Sequence, residues 1–315
     1  ELYVDAHTAI NVIPSLPEIY SEPFGDSSQI PTFLVSQLAK QSVTVSLSGD
    51  AGDEVFGGYS RYIHTEKLWK ILKAVPFPVR CALARLLLTV NSGFLSKVPS
   101  LNRNPNVQKF VKGLRLLAAK SSNELYQSML CVWQGGPISK NLEQKSPHLK
   151  GFVATHLAPC LSDVEQMMLA DLKQYLADDI LVKVDRAAMA CSLETRVPML
   201  DHDLVEFAWR LPQSYKIREG QTKWPLRQIL YRHVPKELIE RPKVGFAVPI
   251  GQWMKFELRE WCEDLLSEKA LNEHDFLCTQ TVRDVWKQHL SGSQNWQYRL
   301  WNVLMFQAWY RHNHG

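Results

Sequence analysis

Apolar and polar positions alternate most clearly at Val43-Thr44-Val45-Ser46-Leu47, a β-branched run that predicts a buried strand. Leu2-Tyr3-Val4 predicts a second, shorter strand. Between them a helix is expected over 11–20, with boundaries blurred by Pro14 and Pro17. The segment Glu22 to Pro31 is rich in turn residues. Pro31 suits the first turn of the next helix, whose Phe33, Leu34 and Leu38 share one face. Strand, helix, strand is the order of a parallel sheet covered by helices, an α/β class. About two strands make a poor free-standing sheet. Further strands are therefore expected ahead of Glu1.

From Arg61 onward the spacing is helical. Lys67 to Val75 and Val79 to Val90 are amphipathic, separated by Pro76 and Pro78. Asn91 to Asn106 reads as a loop and Val107 to Ala119 as a helix. Ser121-x-x-Glu124 has the form of a capping box, and 135–151 reads as a second loop. Asp201 is placed to cap a helix running to Arg210, and another is expected from Thr222 to Val234. Met167, Met168 and the tryptophans are expected in the core. The division is then 1–60 as part of an α/β nucleotide-binding core and 61–315 as mainly helical.

Composition narrows the function classes. The chain has 315 residues, enough to bury a large core, and 45% hydrophobic with 22% charged content is ordinary for a globular protein. A net charge of +4 with no basic run gives no indication of nucleic acid. The six cysteines are scattered without zinc spacing, which fits thiols in a reducing cytoplasm. No apolar run is long enough to span a bilayer.

Candidate chemistry concentrates in Ser48-Gly49-Asp50-Ala51-Gly52-Asp53-Glu54, followed by Val55-Phe56-Gly57-Gly58-Tyr59. An acidic cluster is commonly a solvated turn. Here it follows a strand, where open α/β sheets bind ligands, and glycines flank it. Acids so placed suit a divalent metal that carries phosphates. A second stretch, Asp178-Asp179 through Lys183, Asp185 and Arg186, reads as a helix with surface ion pairs. Pro198 ends regular helix at Val197, and Glu194 and Arg196, lodged among apolar residues, are expected partly buried with partners. Arg241-Pro242-Lys243-Val244-Gly245-Phe246 holds a lysine that is either solvated or a fixed positive point for phosphate.

Together these motifs resemble the C-terminal synthetase domain of glutamine-hydrolysing asparagine synthases. The resemblance covers the whole chain and is strongest in Pro23-Phe24-Gly25-Asp26-Ser27-Ser28, Ser48 to Tyr59, Leu181 to Asp201 and Arg241 to Trp253. It implies a parallel-sheet nucleotide α-hydrolase-like fold of the ATP-pyrophosphatase type, incomplete at its N-terminus, with a large helical part. It also implies a reaction. Aspartate attacks the α-phosphate of ATP to give β-aspartyl-AMP and pyrophosphate, and ammonia from a glutaminase domain displaces AMP.

By that resemblance Ser48 and Gly49 contact ATP, Asp53 is a Mg2+ ligand and Asp50 is tied to intermediate formation. Lys243 neutralises charge at the phosphates, while Ser27, Ser28, Asp179 and Arg196 lie near the amino-acid substrate. Asp178 is an alternative to Asp179. Partners implied are aspartate, glutamine or ammonia, the glutaminase domain of the same full-length protein and a second copy in a homodimer. Another carboxylate substrate, or a binding module without catalysis, remain as alternatives.

Two departures from the family pattern stand out. Ala51 replaces a glycine or serine, and its methyl group fits unless φ is positive. The phosphate loop Ser-Gly-Gly-x-Asp-Ser does not occur in the chain. The 315 residues by themselves are therefore expected to be inactive.

Overall fold

The fold is described by a computed structural model covering residues 5–97, 113, 114, 116–133, 138, 161–240 and 248–315. In order come α1 (Ala6–Val12), a 3-10 turn (Ile13–Ser15), α2 (Leu16–Tyr20), α3 (Gln29–Lys40), β1 (Val45–Leu47), α4 (Gly52–Val55), α5 (Ser60–Leu72) and α6 (Phe77–Lys97). Next are α7 (Ser122–Leu130), α8 (Asp163–Lys173), a π-helical turn (Tyr175–Ile180), α9 (Leu181–Ala190) and β2 (Glu194–Arg196). A 3-10 turn (Pro198–Leu200) leads to α10 (His202–Arg210), α11 (Gln213–Lys216), α12 (Trp224–Leu230) and α13 (Lys236–Ile239). The last elements are α14 (Ile250–Trp253), α15 (Arg259–Leu265), α16 (Glu268–Leu271), α17 (Thr279–Leu290) and α18 (Gln297–His314). The expected strand Leu2-Tyr3-Val4, most of the expected helix from Val107 and loop 135–151, and the loop carrying Lys243 lie outside the described residues.

Local chemistry explains most boundaries. Asp5 starts α1 by accepting from Thr8 N at 2.7 Å. The helix expected over 11–20 is three pieces, with prolines in the first turns of both the 3-10 turn and α2. Pro76 separates α5 from α6. The expected loop from Asn91 is corrected in part, because α6 continues to Lys97. Buried Arg80 anchors the start of α6, donating to Leu117 O at 3.0 Å and Ala119 O at 2.9 Å. At Ser121 half of the expected capping box forms. Ser121 Oγ accepts from Glu124 N, but the Glu124 carboxylate turns to Lys120 N. The reciprocal box sits at Ser162 and Glu165 and opens α8.

Among the described residues the sheet is two parallel strands, with Val45, Ser46 and Leu47 opposite Glu194, Thr195 and Arg196. Parallel pairing needs a long crossover, here supplied by α4 to α9. The inward positions are polar, with Ser46 Oγ and Thr195 Oγ1 3.3 Å apart. The outward apolar positions are bare: Val45 is 44% exposed and Leu47 76%. The strand expected to be buried thus keeps one face open, unlike parallel sheets covered on both faces.

The largest core joins the two ends of the described chain. Val12, Ile13, Leu16, Ile30 and Leu34 pack with Trp253, Met254, Trp286, Trp301 and Leu304. Met167 and Met168 are fully buried with Tyr62 and Tyr126, as expected of core residues. A third cluster sets the acidic loop: Ala51, Val55 and Phe56 pack against Leu176 and Ile180 of the π-helical turn and Ala208 of α10. No helix among the described residues is long and apolar enough to cross a membrane.

Candidate functional site

The acidic loop begins where the sheet ends. Ser48 N donates to Arg196 O at 2.8 Å, extending the pairing by one bond. Ser48 Oγ then donates to Asp50 Oδ2, and Asp50 N donates back to Ser48 Oγ at 3.2 Å. Gly49 is exposed, with open space beside its α-carbon. Ala51 turns the chain with φ of 64°, so the expected fit of its methyl group is overturned on its own condition. That turn places Gly52 to Val55 in one helical turn, with Val55 and Phe56 inward.

Asp53 and Glu54 point to different surroundings. Asp53 Oδ1 pairs with Lys223 Nζ at 3.0 Å. The loop folds back so closely that a β-carbon on Gly58 would lie 2.8 Å from Asp53 Cα. Only glycine allows that approach. Glu54 is 1% exposed, accepts from Tyr59 OH at 2.6 Å through Oε1, and has no hydrogen-bond partner for Oε2. Burial holds its carboxyl above the usual range, against the pull of the Tyr59 hydrogen bond.

A second cluster gathers around Asp26. Ser28 N and Ser28 Oγ donate to its two oxygens at 2.9 and 2.7 Å, and Lys183 Nζ lies 2.6 Å from Oδ2. Burial works against ionisation of Asp26, but the Lys183 ion pair and the Ser28 hydrogen bonds outweigh it and hold the acid below its usual range. Asp179, on the π-helical turn, leaves Oδ1 buried without a partner. Burial first, then the Asp26 charge, push its pKa up to about 7. Single π turns recur at functional sites, because the extra residue re-aims side chains. Between the clusters stands Tyr175, whose ring centroid is 6.0 Å from that of Tyr59. Burial, Asp179 and Asp26 raise its hydroxyl to about 12.

The structure thus joins Ser28 to Asp26, with Ser27 buried beside it in the same turn and Asp179 within electrostatic reach. It also joins Ser48 to Asp50. Arg196 has the expected kind of partner but not the expected burial. Its Nε pairs with Glu194 Oε1 at 2.6 Å, and both side chains are exposed, by 68% and 51%. Two residues apart on β2, both ends of this pair fall on the open side of the sheet. Lys243 lies outside the described residues. Sequence reading gave no site role to Asp26, Lys183 or Lys223, and counted Glu54 only among the acids of the loop. Asp26 stood within a quoted motif, whereas nothing local marks Lys223 as the partner of Asp53.

The family model for asparagine synthase matches residues 1–311. The chain belongs to the asparagine synthase family. It is similar to asparagine synthetase [glutamine-hydrolyzing] 1 of Bacillus subtilis, with 28% identity over 306 residues, covering 96% of this chain and 46% of that one. A putative asparagine synthetase [glutamine-hydrolyzing] of Mycobacterium tuberculosis is 31% identical over 310 residues, covering 96% and 45%. The chain therefore spans about half the length of these curated relatives.

For this asparagine synthase family member, fit to a metal can be tested on the acids themselves. Mg2+ is bound through one or two carboxylates with waters and substrate phosphates completing its shell. Asp53, with its side chain 20% exposed, meets that need, whereas Glu54 is committed to Tyr59. Among the described residues, donor atoms of three acids or histidines converge only at exposed Asp201, His202 and Asp203. Two of those belong to the helix start that Asp201 caps.

Proposed function

We propose that this chain carries the ATP-dependent adenylating site of a glutamine-dependent asparagine synthase, on an ATP-pyrophosphatase-type fold. The observation that carries the reading is the loop after β1. There Ser48 holds Asp50, and Asp53 stands against the Lys223 ammonium. Open α/β sheets bind ligands at this end of their strands.

In this reading Ser48 and Gly49 face ATP, and the open space at Gly49 lets the backbone approach the nucleotide. Asp53 holds Mg2+, which when bound neutralises charge on the phosphate oxygens. As the aspartate carboxylate attacks the α-phosphorus and pyrophosphate leaves, Lys243 and Lys223 meet the spreading negative charge. Asp50 supports formation of the acyl adenylate. Ser27, Ser28, Asp179 and Arg196 serve the amino-acid side. Ammonia then attacks the acyl carbon, AMP leaves, and Asp179, titrating near neutrality, takes the surplus proton.

Ammonia would come from a glutaminase domain, with the complete protein working in the cytoplasm as a homodimer. Because the Ser-Gly-Gly-x-Asp-Ser stretch does not occur in these 315 residues, they alone should release no AMP from ATP. The test is AMP release by the complete gene product against a panel of carboxylic amino acids. Aspartate should be preferred; preference for another acid would keep adenylation and replace the substrate. Lys243→Ala should slow AMP release on the order of 10²–10³-fold while glutamine hydrolysis continues. Unchanged AMP release in Asp53→Asn would remove the acidic loop from the reaction.

A further inference from the structure

Behind the acidic loop lies a buried charged assembly that the proposed reaction does not use. Asp171 of α8 is 2% exposed, and its Oδ2 accepts from three donors. They are Tyr62 OH at 2.7 Å, Tyr126 OH at 2.5 Å and Arg61 Nη2 at 2.7 Å. Arg61 Nε donates in turn to Tyr126 OH at 2.7 Å. So anchored, the guanidinium stands over two rings beside the loop: its carbon is 3.6 Å from the Tyr59 ring centroid and 5.0 Å from that of Tyr175. Tyr59 OH donates to Glu54, adjacent in sequence to Asp53.

Had the assembly served only to tie α5 to α7 and α8, the Asp171 contacts would suffice. Stacking on Tyr59 adds nothing to that joint but fixes the residue that holds Glu54. Glu54 needs fixing, because its Oε2 is buried without a partner, and a buried carboxyl with one hydrogen bond has little else to define its place.

We propose that Arg61 is a positioning residue: anchored on Asp171, it clamps the Tyr59 ring, which holds the Glu54 carboxyl and thereby fixes the helical turn that carries Asp53. The inference rests on the reading of that loop as the reacting site. A cation over the ring face also withdraws charge from the phenol, so Tyr59 OH becomes a better donor to Glu54. The groups facing Glu54 are Asp53 on its own element, Tyr59 ahead of α5, Asp171 on α8 and Tyr175 on the π-helical turn. Arg61 faces them from α5, and Lys223 faces Asp53. On α10, His202, Asp203, Glu206 and Arg210 are exposed.

The test is a double-mutant cycle in the complete gene product, reading kcat and KM of AMP release separately, and the thermal midpoint. Tyr59→Phe, which removes one oxygen, and Arg61→Met should each lower kcat on the order of tenfold and leave KM for ATP little changed. The double variant should be no slower than Tyr59→Phe alone. Arg61→Lys keeps the charge without the planar fork, and should recover the midpoint more than kcat. Leu72→Ala, in the neighbouring core, should lower the midpoint and leave kcat in place. Additive losses, or an unchanged kcat in Tyr59→Phe, would overturn the clamp. If Asp53→Asn abolishes AMP release while the cycle is additive, the clamp alone falls. If Asp53→Asn is also fully active, the reading of the loop falls with it.

Discussion

Lys223 Nζ lies 3.0 Å from Asp53 Oδ1, so the acid best placed to hold a metal already carries a cation. Both side chains are mostly buried, at 27% and 20% exposure, and a metal at Asp53 must displace or share with that ammonium. Lys223→Gln is expected to tighten magnesium binding, measured calorimetrically with the metal alone. The same variant should slow AMP release by roughly tenfold or more, since one charge-stabilising group is lost. Metal affinity equal to that of the unchanged protein would mean that Asp53 is not the ligand.

Asp179 makes stability depend on pH in a defined sense. Its pKa is raised from 3.8 in the unfolded reference to about 7, so the folded protein binds the extra proton between those values. Its contribution is therefore most favourable at low pH, falls as pH rises through that window, and is flat above it. Asp179→Asn should remove this slope and stabilise the protein at about pH 8 by on the order of 2 kcal/mol, discounted for its partial exposure. Urea titrations at about pH 5 and pH 8 check it. Equal slopes in the two proteins would show that Asp179 ionises normally.

At Ala51 the left-handed backbone costs an alanine about 1–2 kcal/mol, partly offset by the roughly 0.8 kcal/mol of burying its methyl group. Ala51→Gly should therefore change stability by less than about 1 kcal/mol. A β-branched side chain meets both the φ of 64° and the packed cluster around Val55, so Ala51→Val should cost about 2 kcal/mol or more. Equal unfolding midpoints for the valine and glycine variants would contradict the conformation.

Lys216 is fully buried, its Nζ has no hydrogen-bond partner, and the Trp209 ring centroid is 4.8 Å away. Burial lowers its pKa, with Glu165 pulling the other way. A base whose folded pKa is depressed destabilises while it is charged, so stability should rise with pH as the folded form loses that proton first. Lys216→Met should raise the thermal midpoint near neutral pH, by an increment of about 1–2 kcal/mol that shrinks toward alkaline pH. A lower midpoint would show that the cation–π contact outweighs desolvation.

Much of the local structure was legible in the chain because it depends on neighbours in sequence. The period of two in Val43 to Leu47 foretold β1, and Asp201 was read as the cap of a helix ending at Arg210, as observed. The resemblance in Ser48 to Tyr59 and its neighbours foretold the family. Tertiary packing decided which distant groups meet. Asp26 finds Lys183 across 157 positions, Arg61 finds Asp171 across 110, and Asp53 finds Lys223. It also decided that Glu194 and Arg196 lie on an open face, which their apolar neighbours had argued against. The physical reason is that periodicity and capping act over one turn, whereas a charged side chain takes whichever partner the packed helices bring within about 3–4 Å.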